Sequence, residues 1–245
     1  MQNPKALSDS LLFKLASAED FEVLLSLYSA SFNDKSPQLP FLEGIINDQD
    51  TYCALLDGRP VAMVTANPVT YQNQKGHQIF KLCTDKAVRG RGIAGKLLDF
   101  MHREQRKKGD RFSLVMPGND DLYGFYAAKG YLPIAAKTHR LLQGDAVCLP
   151  QTRVVYTEKY SGYVLKSAKA NGKRSADGNG LLWGYEREGT VVADDCFGDG
   201  LSLQAPCVVH LPCQEGNERY GMVCPLDPQA SLQGIFPVLV CGFQK

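Results

Sequence analysis

The sequence lacks the features that mark membrane-spanning, nucleic-acid-binding or disordered chains. No segment approaches the roughly 20 consecutive apolar residues of a membrane-spanning helix. Neither sign of charge is in excess, because 27 lysines and arginines balance 26 aspartates and glutamates, and the net charge is +1. No overall field therefore draws the chain onto nucleic acid or an anionic membrane, and small molecules or proteins are the expected partners. The composition, 44% hydrophobic and 22% charged over 245 residues, is that of a globular protein.

A secretory signal and paired cysteine motifs are also missing. Residues 1–10 lack a basic stretch followed by a long apolar run, and no two of the eight cysteines have CxxC spacing. We therefore expect reduced thiols and a cytoplasmic location. Cys207 and Cys213 flank His210, which raises a zinc site as an alternative. We expect no metal there, because structural zinc sites favour two close pairs of ligands.

Hydrophobic periodicity predicts an α+β fold for the first part of the chain, with a mixed central sheet flanked by helices. Asp57-Gly58 is a hairpin turn signal, and a helical crossover is expected to join two parallel strands. The predicted strands are residues 11–16, 51–56, 61–65, 77–84, 112–116 and 131–134. The predicted helices follow Ser17, cover residues 41–48, and begin at the glycine-rich turn before Ile93 and near Asp121.

The remainder of the chain has a different pattern. Short β-like runs dominate and helix signals are weak, so we predict two domains, residues 1–140 and a strand-rich domain over residues 141–245. The predicted strands of the second domain are residues 162–165, 181–185, 190–193, 206–211, 220–225 and 235–242.

A glycine-rich turn, Val-Arg-Gly-Arg-Gly-Ile-Ala-Gly over residues 88–95, follows a predicted strand and opens a helix. Backbone N–H groups can converge there with the positive end of the helix, and Gly90 and Gly92 allow close approach of an oxygen-rich ligand. The pattern predicts a phosphate site, or else a helix entry whose glycines only serve the turn. It matches neither the P-loop nor the dinucleotide-binding GxGxxG motif.

Residues 89–94 resemble the Arg/Gln-x-x-Gly-x-Gly/Ala motif of the GNAT superfamily of N-acetyltransferases, whose main chain holds the pyrophosphate of acetyl coenzyme A. A second segment, Asn119 with Phe-Tyr-Ala-Ala-Lys-Gly-Tyr at residues 125–131, is similar to the family's Asn and FYxxxGF pattern. The order of predicted elements agrees over residues 11–140. The resemblance implies the GNAT fold, with a V-shaped opening between the strand ending near Thr84 and the strand beginning near Phe112.

The resemblance also implies a site for acetyl coenzyme A, as cosubstrate, in this opening. Asn119 would bind the pantetheine arm or order its own turn. Tyr126 would protonate the departing thiolate; the alternative is an aromatic side chain that only packs on its helix. The main chain of Leu82, Cys83 and Thr84 would pair with the pantetheine amides. The pyrophosphate would be held by the amides of Arg89, Gly90, Arg91, Gly92, Ile93, Ala94 and Gly95.

A general base is harder to assign. Many relatives carry a glutamate on the strand before the glycine-rich turn, but residues 77–84 contain no carboxylate. His77 has a suitable ordinary pKa but comes early in the strand, and Asp85 at its end is also suited to capping the turn. A water chain or a residue of the second half are the remaining alternatives. Cys83 lies in an apolar strand and is predicted to be a buried, inert thiol.

The second half is similar to the degenerate acetyltransferase-like half of tandem relatives. Trp183 and Tyr185 alternate on one predicted strand, where they line an acceptor pocket or serve ordinary packing. The function implied is N-acetylation of a primary amine by direct attack in a ternary complex. The alternative is a non-catalytic coenzyme A-binding or interaction protein. The sequence does not separate a small amine, an amino acid, an aminoglycoside and a protein N-terminus as acceptors.

Overall fold

The computed structural model describes the backbone of residues 10–32, 50–142, 155–156, 181–187, 190–197, 207–213, 221–233 and 235. Side chains are described for residues 10–32, 50–134, 221–233 and 235. Within these ranges, no helix combines the length and the apolarity that crossing a membrane demands.

The described elements follow the predicted alternation. The helices are α1 (Phe21–Phe32), α2 (Ile93–Lys107) and α3 (Asp121–Ala127). The strands of the first half are β1 (Leu11–Leu15), β2 (Thr51–Leu56), β3 (Arg59–Tyr71), β4 (Gln74–Thr84), β5 (Phe112–Val115) and β6 (Leu132–Leu142). Those that follow are β7 (Val155–Tyr156), β8 (Leu181–Arg187), β9 (Thr190–Phe197), β10 (Cys207–Cys213) and β11 (Gly221–Pro225). The helix predicted at 41–48, the strand predicted at 162–165 and, except for residue 235, the strand predicted at 235–242 lie outside the described residues.

Seven strands form a mixed sheet in the order β1-β2-β3-β4-β5-β11-β6, which confirms the predicted α+β fold. The β4–β5 pair is parallel, and its neighbours in this sheet are antiparallel. On its other side β6 pairs with β10, and the pairing continues through β9 to β8.

The parallel strands β4 and β5 separate along their length. They pair only where residues 76–78 of β4 face residues 112–114 of β5, and β4 then continues to Thr84 without β5 beside it. Gly76 permits the close approach at the paired end, because a Cβ there would stand 2.5 Å from the Phe112 ring. Beyond Gln78, β4 therefore has no β5 strand beside it, and the space between the two strands is the predicted V-shaped opening.

A strand from the second half of the sequence completes the sheet of the first half. Met222 of β11 faces Val115 of β5 on one side and Pro133 of β6 on the other. The segment that follows is fastened by an ion pair between Arg111 Nε and Asp227 Oδ2 at 2.9 Å. The domain boundary at residue 140 remains a prediction, but the two halves share hydrogen-bonded strands across it.

Strand β3 is longer than predicted, since the pattern ended it at Thr65. Its partner β2 stops at the Thr51–Thr65 pair, so the missing N–H of Pro68 costs no ladder bond to β2. Beyond Pro68, the short strand β7 pairs with Val69 and Thr70 of β3. The connection to β4 is a two-residue turn in which Gln72 and Asn73 have φ of 46° and 63°. The sequence predicted a polar connection over residues 71–76 before the strand at 77–84, but the structure has a tight hairpin there.

Helices α1 and α2 each pack with an apolar face inward. Leu24, Leu27 and Tyr28 of α1 are buried, and the N–H of Ser17 donates to the Asp20 carboxylate at 2.8 Å in the turn that precedes the helix. Gly109 ends α2 with φ of 94°.

Candidate active site

The glycine-rich turn between β4 and α2 presents unpaired amides at the start of a helix. Gly90 and Gly92 have φ of 78° and 72°, a region that favours glycine. The Lys96 N–H donates to the Gly92 carbonyl, so the amides of residues 93–95 precede the first intrahelical bond. A Cβ built at Gly90 or Gly92 would meet no atom within 4 Å. The turn therefore has the open space and the donors that an anion requires.

This turn forms one wall of an open pocket of about 640 Å³ at the mouth of the V-shaped opening. The pocket brings together the end of β4, the start of α2, the β5–α3 connection, α3 and the end of α1. All predicted site residues line it except Arg91. The lining residues are Ser31, Phe32, Leu82, Cys83, Thr84, Val88, Arg89, Gly90, Gly92, Ile93, Ala94, Gly95, Asn119, Leu122, Phe125 and Tyr126.

Thr84 and Arg89 are linked across the turn. The Arg89 Nε–H donates to the Thr84 carbonyl oxygen at 3.0 Å, so this side chain braces the turn and occupies one lone pair of a carbonyl predicted to face pantetheine. The Thr84 hydroxyl oxygen is buried and has no hydrogen-bond partner. An unpartnered polar atom in the wall of a pocket fits a ligand that carries amide or hydroxyl groups.

Tyr126 contributes a nearly buried phenol to the pocket, with 4% of its surface exposed. Its ring lies edge-on to Phe125, at a centroid distance of 5.0 Å. Burial raises the pKa of the Tyr126 hydroxyl well above its ordinary value. The phenol is therefore protonated at neutral pH, the state that a proton donor needs.

Asn119 has a structural partner as well as a place in the pocket wall. Its side-chain oxygen accepts from the Leu122 N–H at 3.3 Å at the start of α3. The ordering of the turn, one of the two predicted roles, is thus visible in the geometry.

Cys83 lies in the pocket wall as a protonated thiol. Burial raises its pKa to about 11, in agreement with the prediction of an inert side chain. The described cysteines Cys53, Cys83 and Cys224 are free thiols.

Neither candidate base on β4 or at its end reaches this pocket. His77 lies at the closed end of the opening, where its Nδ1 is 2.7 Å from an Asp110 carboxylate oxygen. Asp85 accepts from the Ala87 N–H at 2.9 Å and so caps a single 3-10 turn. Among the described lining residues there is no carboxylate and no imidazole.

Several pocket residues were not predicted from the sequence. Ser31 and Phe32 end α1, and a local pattern does not show that this helix terminus meets the end of β4. Leu122 and Phe125 are in α3; Phe125 belongs to the motif of residues 125–131, but the sequence assigned it no role in the site. The side chains of Trp183 and Tyr185 lie outside the described ones, as do those of the zinc alternative, Cys207, His210 and Cys213. Within the described residues no group of three or more histidine, cysteine or acidic side chains could hold a metal.

Residues 13–134, which contain the turn, the pocket and Tyr126, match the family model described as an acetyltransferase (GNAT) domain. This chain belongs to the GNAT superfamily. The chemistry of this family is acyl transfer, with acetyl coenzyme A as the cosubstrate. No protein with a curated description matches the sequence significantly.

Solved structures share the fold of this GNAT protein at low sequence identity. A probable N-acyltransferase from Enterococcus faecalis V583 has a TM-score of 0.66 and 13% identity, over 90% of this chain and 74% of that one. A GCN5-related N-acetyltransferase from Kribbella flavida has a TM-score of 0.63 and 12% identity, over 90% and 72%. Eis1 from Mycobacterium abscessus has a TM-score of 0.63 and 10% identity, over 92% and 76%. Such likenesses extend beyond residue 140 and concern the fold alone.

Proposed function

We propose that this GNAT protein transfers the acetyl group of acetyl coenzyme A to a primary amine by direct attack in a ternary complex. The observation that carries the proposal is a single pocket lined by the amides at the start of α2, the end of β4 that has no β5 beside it, and the buried phenol of Tyr126. Those three features match the three parts of the cosubstrate: an anion, an amide-bearing arm and a thioester.

Different groups of the chain bind different parts of acetyl coenzyme A. The amides of the Arg89–Gly95 turn face the pyrophosphate, aided by the positive end of the α2 dipole. The open edge of Leu82, Cys83 and Thr84 pairs with the pantetheine amides, and the unpartnered Thr84 hydroxyl offers a further hydrogen bond. Acetyl coenzyme A supplies an activated acyl carbon and a thiolate leaving group.

Tyr126 stabilises the leaving group. A thiol of cysteine type has a pKa of roughly 8.5, which is below that of the buried phenol. Complete proton transfer from Tyr126 to the thiolate is therefore uphill in the environment of the free protein. The hydroxyl therefore acts by donating a hydrogen bond to the developing thiolate, and the released thiolate takes its proton from solvent.

The acceptor amine must lose its proton before it attacks. The described lining residues offer no general base, so we assign this step to a water chain or to a residue outside the described part of the chain. The absence of a general base among the described lining residues also favours the rival function, a coenzyme A-binding protein without catalysis.

The two functions diverge in one experiment, thiol release from acetyl coenzyme A in the presence of a broad panel of amines. The panel contains small amines, amino acids, aminoglycosides and peptides with free N-termini. Thiol release that depends on an amine supports the transferase. Saturable cosubstrate binding without turnover on any member would favour the rival.

A further inference from the structure

Strand β4 contains a bulge at the point where it enters the pocket. Thr65 of β3 pairs with Phe80 and Met63 pairs with Cys83, so one residue of β3 faces two of β4, Lys81 and Leu82. A bulge re-aims the residues that follow it relative to the regular pleat. Here Leu82 is the second residue of the bulge, Cys83 and Thr84 follow it, and all three line the pocket.

Lys81 adopts a backbone conformation that is unusual for a lysine. Its φ is 57°, in the left-handed region that favours glycine. Strained conformations of this kind persist only where surrounding contacts hold them. The contacts of the Lys81 side chain therefore matter for the shape of the bulge.

The ammonium of Lys81 is held by three aromatic rings. Its Nζ lies 4.5 Å from the ring centroid of Tyr28, 5.1 Å from that of Phe32 and 4.4 Å from that of Phe80. It also donates a hydrogen bond to the Tyr28 hydroxyl at 2.8 Å. Cation–π attraction and a hydrogen bond thus act on one charged group. We call these four residues the lysine clamp.

The clamp connects the two elements that meet at the pocket. Tyr28 and Phe32 belong to α1, whereas Phe80 and Lys81 belong to β4. Phe32 and the adjacent Ser31 line the pocket themselves. Loss of the clamp would free both the bulge and the end of α1, next to the wall formed by Leu82 to Thr84.

We propose that Lys81 is a positioning residue, whose clamp fixes the β4 bulge and so aims the main chain of Leu82, Cys83 and Thr84 at the acyl donor. This inference rests on the proposed function. The side chain acts through the bulge and is not itself required to contact the cosubstrate.

The test compares Lys81→Met, which removes the charge but keeps an unbranched stem, with Lys75→Met. Lys75 is exposed on the same strand, away from the bulge, and provides a matched control. Hydrogen exchange of the backbone amides over residues 80–84 needs no ligand. We expect exchange there to be about tenfold faster in Lys81→Met than in Lys75→Met, while the midpoints of thermal unfolding remain similar.

Calorimetry with acetyl coenzyme A gives the second measurement. We expect Lys81→Met to weaken binding about tenfold, equivalent to about 1.4 kcal/mol, and Lys81→Arg to stay within about threefold of wild type, because arginine keeps a cation over the rings. If Lys81→Met fails to fold, Tyr28→Phe removes only the hydrogen-bonding hydroxyl and is expected to show the same changes at smaller size.

Three outcomes overturn the inference. One is a Lys81→Met variant equal to Lys75→Met in both exchange and affinity. Another is a loss of thermal stability alone, with local exchange and affinity unchanged, which would make the clamp merely structural. If wild type itself binds no acetyl coenzyme A, the proposed function fails, and the assigned role of the clamp fails with it.

Discussion

Tyr131 lies edge-on against Tyr126, with the ring centroids 5.4 Å apart and the ring planes at 68°. The Tyr131 hydroxyl is itself fixed, since it hydrogen-bonds to Ser113 of β5 and to His102 Nε2 of α2, the latter at 2.8 Å. The orientation of the proposed catalytic phenol is therefore set by a buried polar cluster that spans the sheet and the helix beneath the pocket.

Replacement of Tyr126 by phenylalanine tests its role in catalysis. We expect Tyr126→Phe to lower kcat by roughly 10- to 1000-fold with little change in the affinity for acetyl coenzyme A, because the hydroxyl acts on the leaving group. Steady-state thiol release and calorimetry measure the two quantities. Tyr123→Phe, on the same helix but outside the pocket wall, is the control and should retain its kcat. Wild-type turnover by Tyr126→Phe would refute the assignment.

Alanine substitutions at two glycines, one at each end of α2, distinguish the effect of backbone strain from the effect on ligand binding. Gly92 and Gly109 both have positive φ and both have open space around a built Cβ, but only Gly92 lines the pocket. Substitution by alanine should cost each variant a similar free energy of unfolding, about 1–2 kcal/mol. Only Gly92→Ala should also weaken acetyl coenzyme A binding, by about tenfold or more. Equal affinities in the two variants would argue against the pyrophosphate assignment.

His102 predicts an acid sensitivity of the fold. Burial, and next the neighbouring His77, lower the pKa of His102 to about 3 from an ordinary value of 6.5. Between these values the unfolded chain binds more protons at this site than the folded protein, so stability falls as the pH drops below about 6.5.

His102→Gln removes this titration and retains a group that can hydrogen-bond to Tyr131. Urea unfolding at pH 7.5, 6 and 5 should show that wild type loses up to about 1.4 kcal/mol per pH unit more than the variant below pH 6.5. Above that pH the two proteins should have parallel profiles. Parallel profiles through pH 5 would show that His102 accepts a proton without loss of the fold.

Truncation after Arg140 tests the dependence of the first half on the second. The deletion removes β11, whose residues Met222, Val223 and Cys224 are buried between β5 and β6. Burial of an apolar side chain of this size is worth about 1.5–3 kcal/mol, so we expect the fragment to aggregate or to unfold at a much lower temperature. A soluble fragment that acetylates the same amines at the wild-type rate would show that the second half is an independent module.

The sequence predicted the local features of the site well, but it did not predict which distant elements come into contact there. Gly90, Gly92 and Tyr126 stand in motifs whose spacing has a local physical reason, namely positive φ, a helix start and one face of a short helix. The contacts of Lys81 with Tyr28 and Phe32 depend on which face of α1 packs against β4, and no local pattern contains that information.

The position of β11 in the strand order could not be predicted from the sequence either. The run over residues 220–225 was predicted as a strand, but its insertion between β5 and β6 joins residues that are about a hundred positions apart. Which strands become neighbours depends on the apolar side chains that are buried when the sheet is complete. The β-propensity of a segment indicates only that the segment is a strand.

Calorimetric titration of the full chain with acetyl coenzyme A tests the central claim most directly, since every assigned residue acts on that one molecule. The account predicts saturable binding of one molecule per chain, at the pocket between β4 and α2. No detectable binding to the folded protein at high micromolar ligand would contradict the site and the proposed function together, and two molecules per chain would contradict the single-site account.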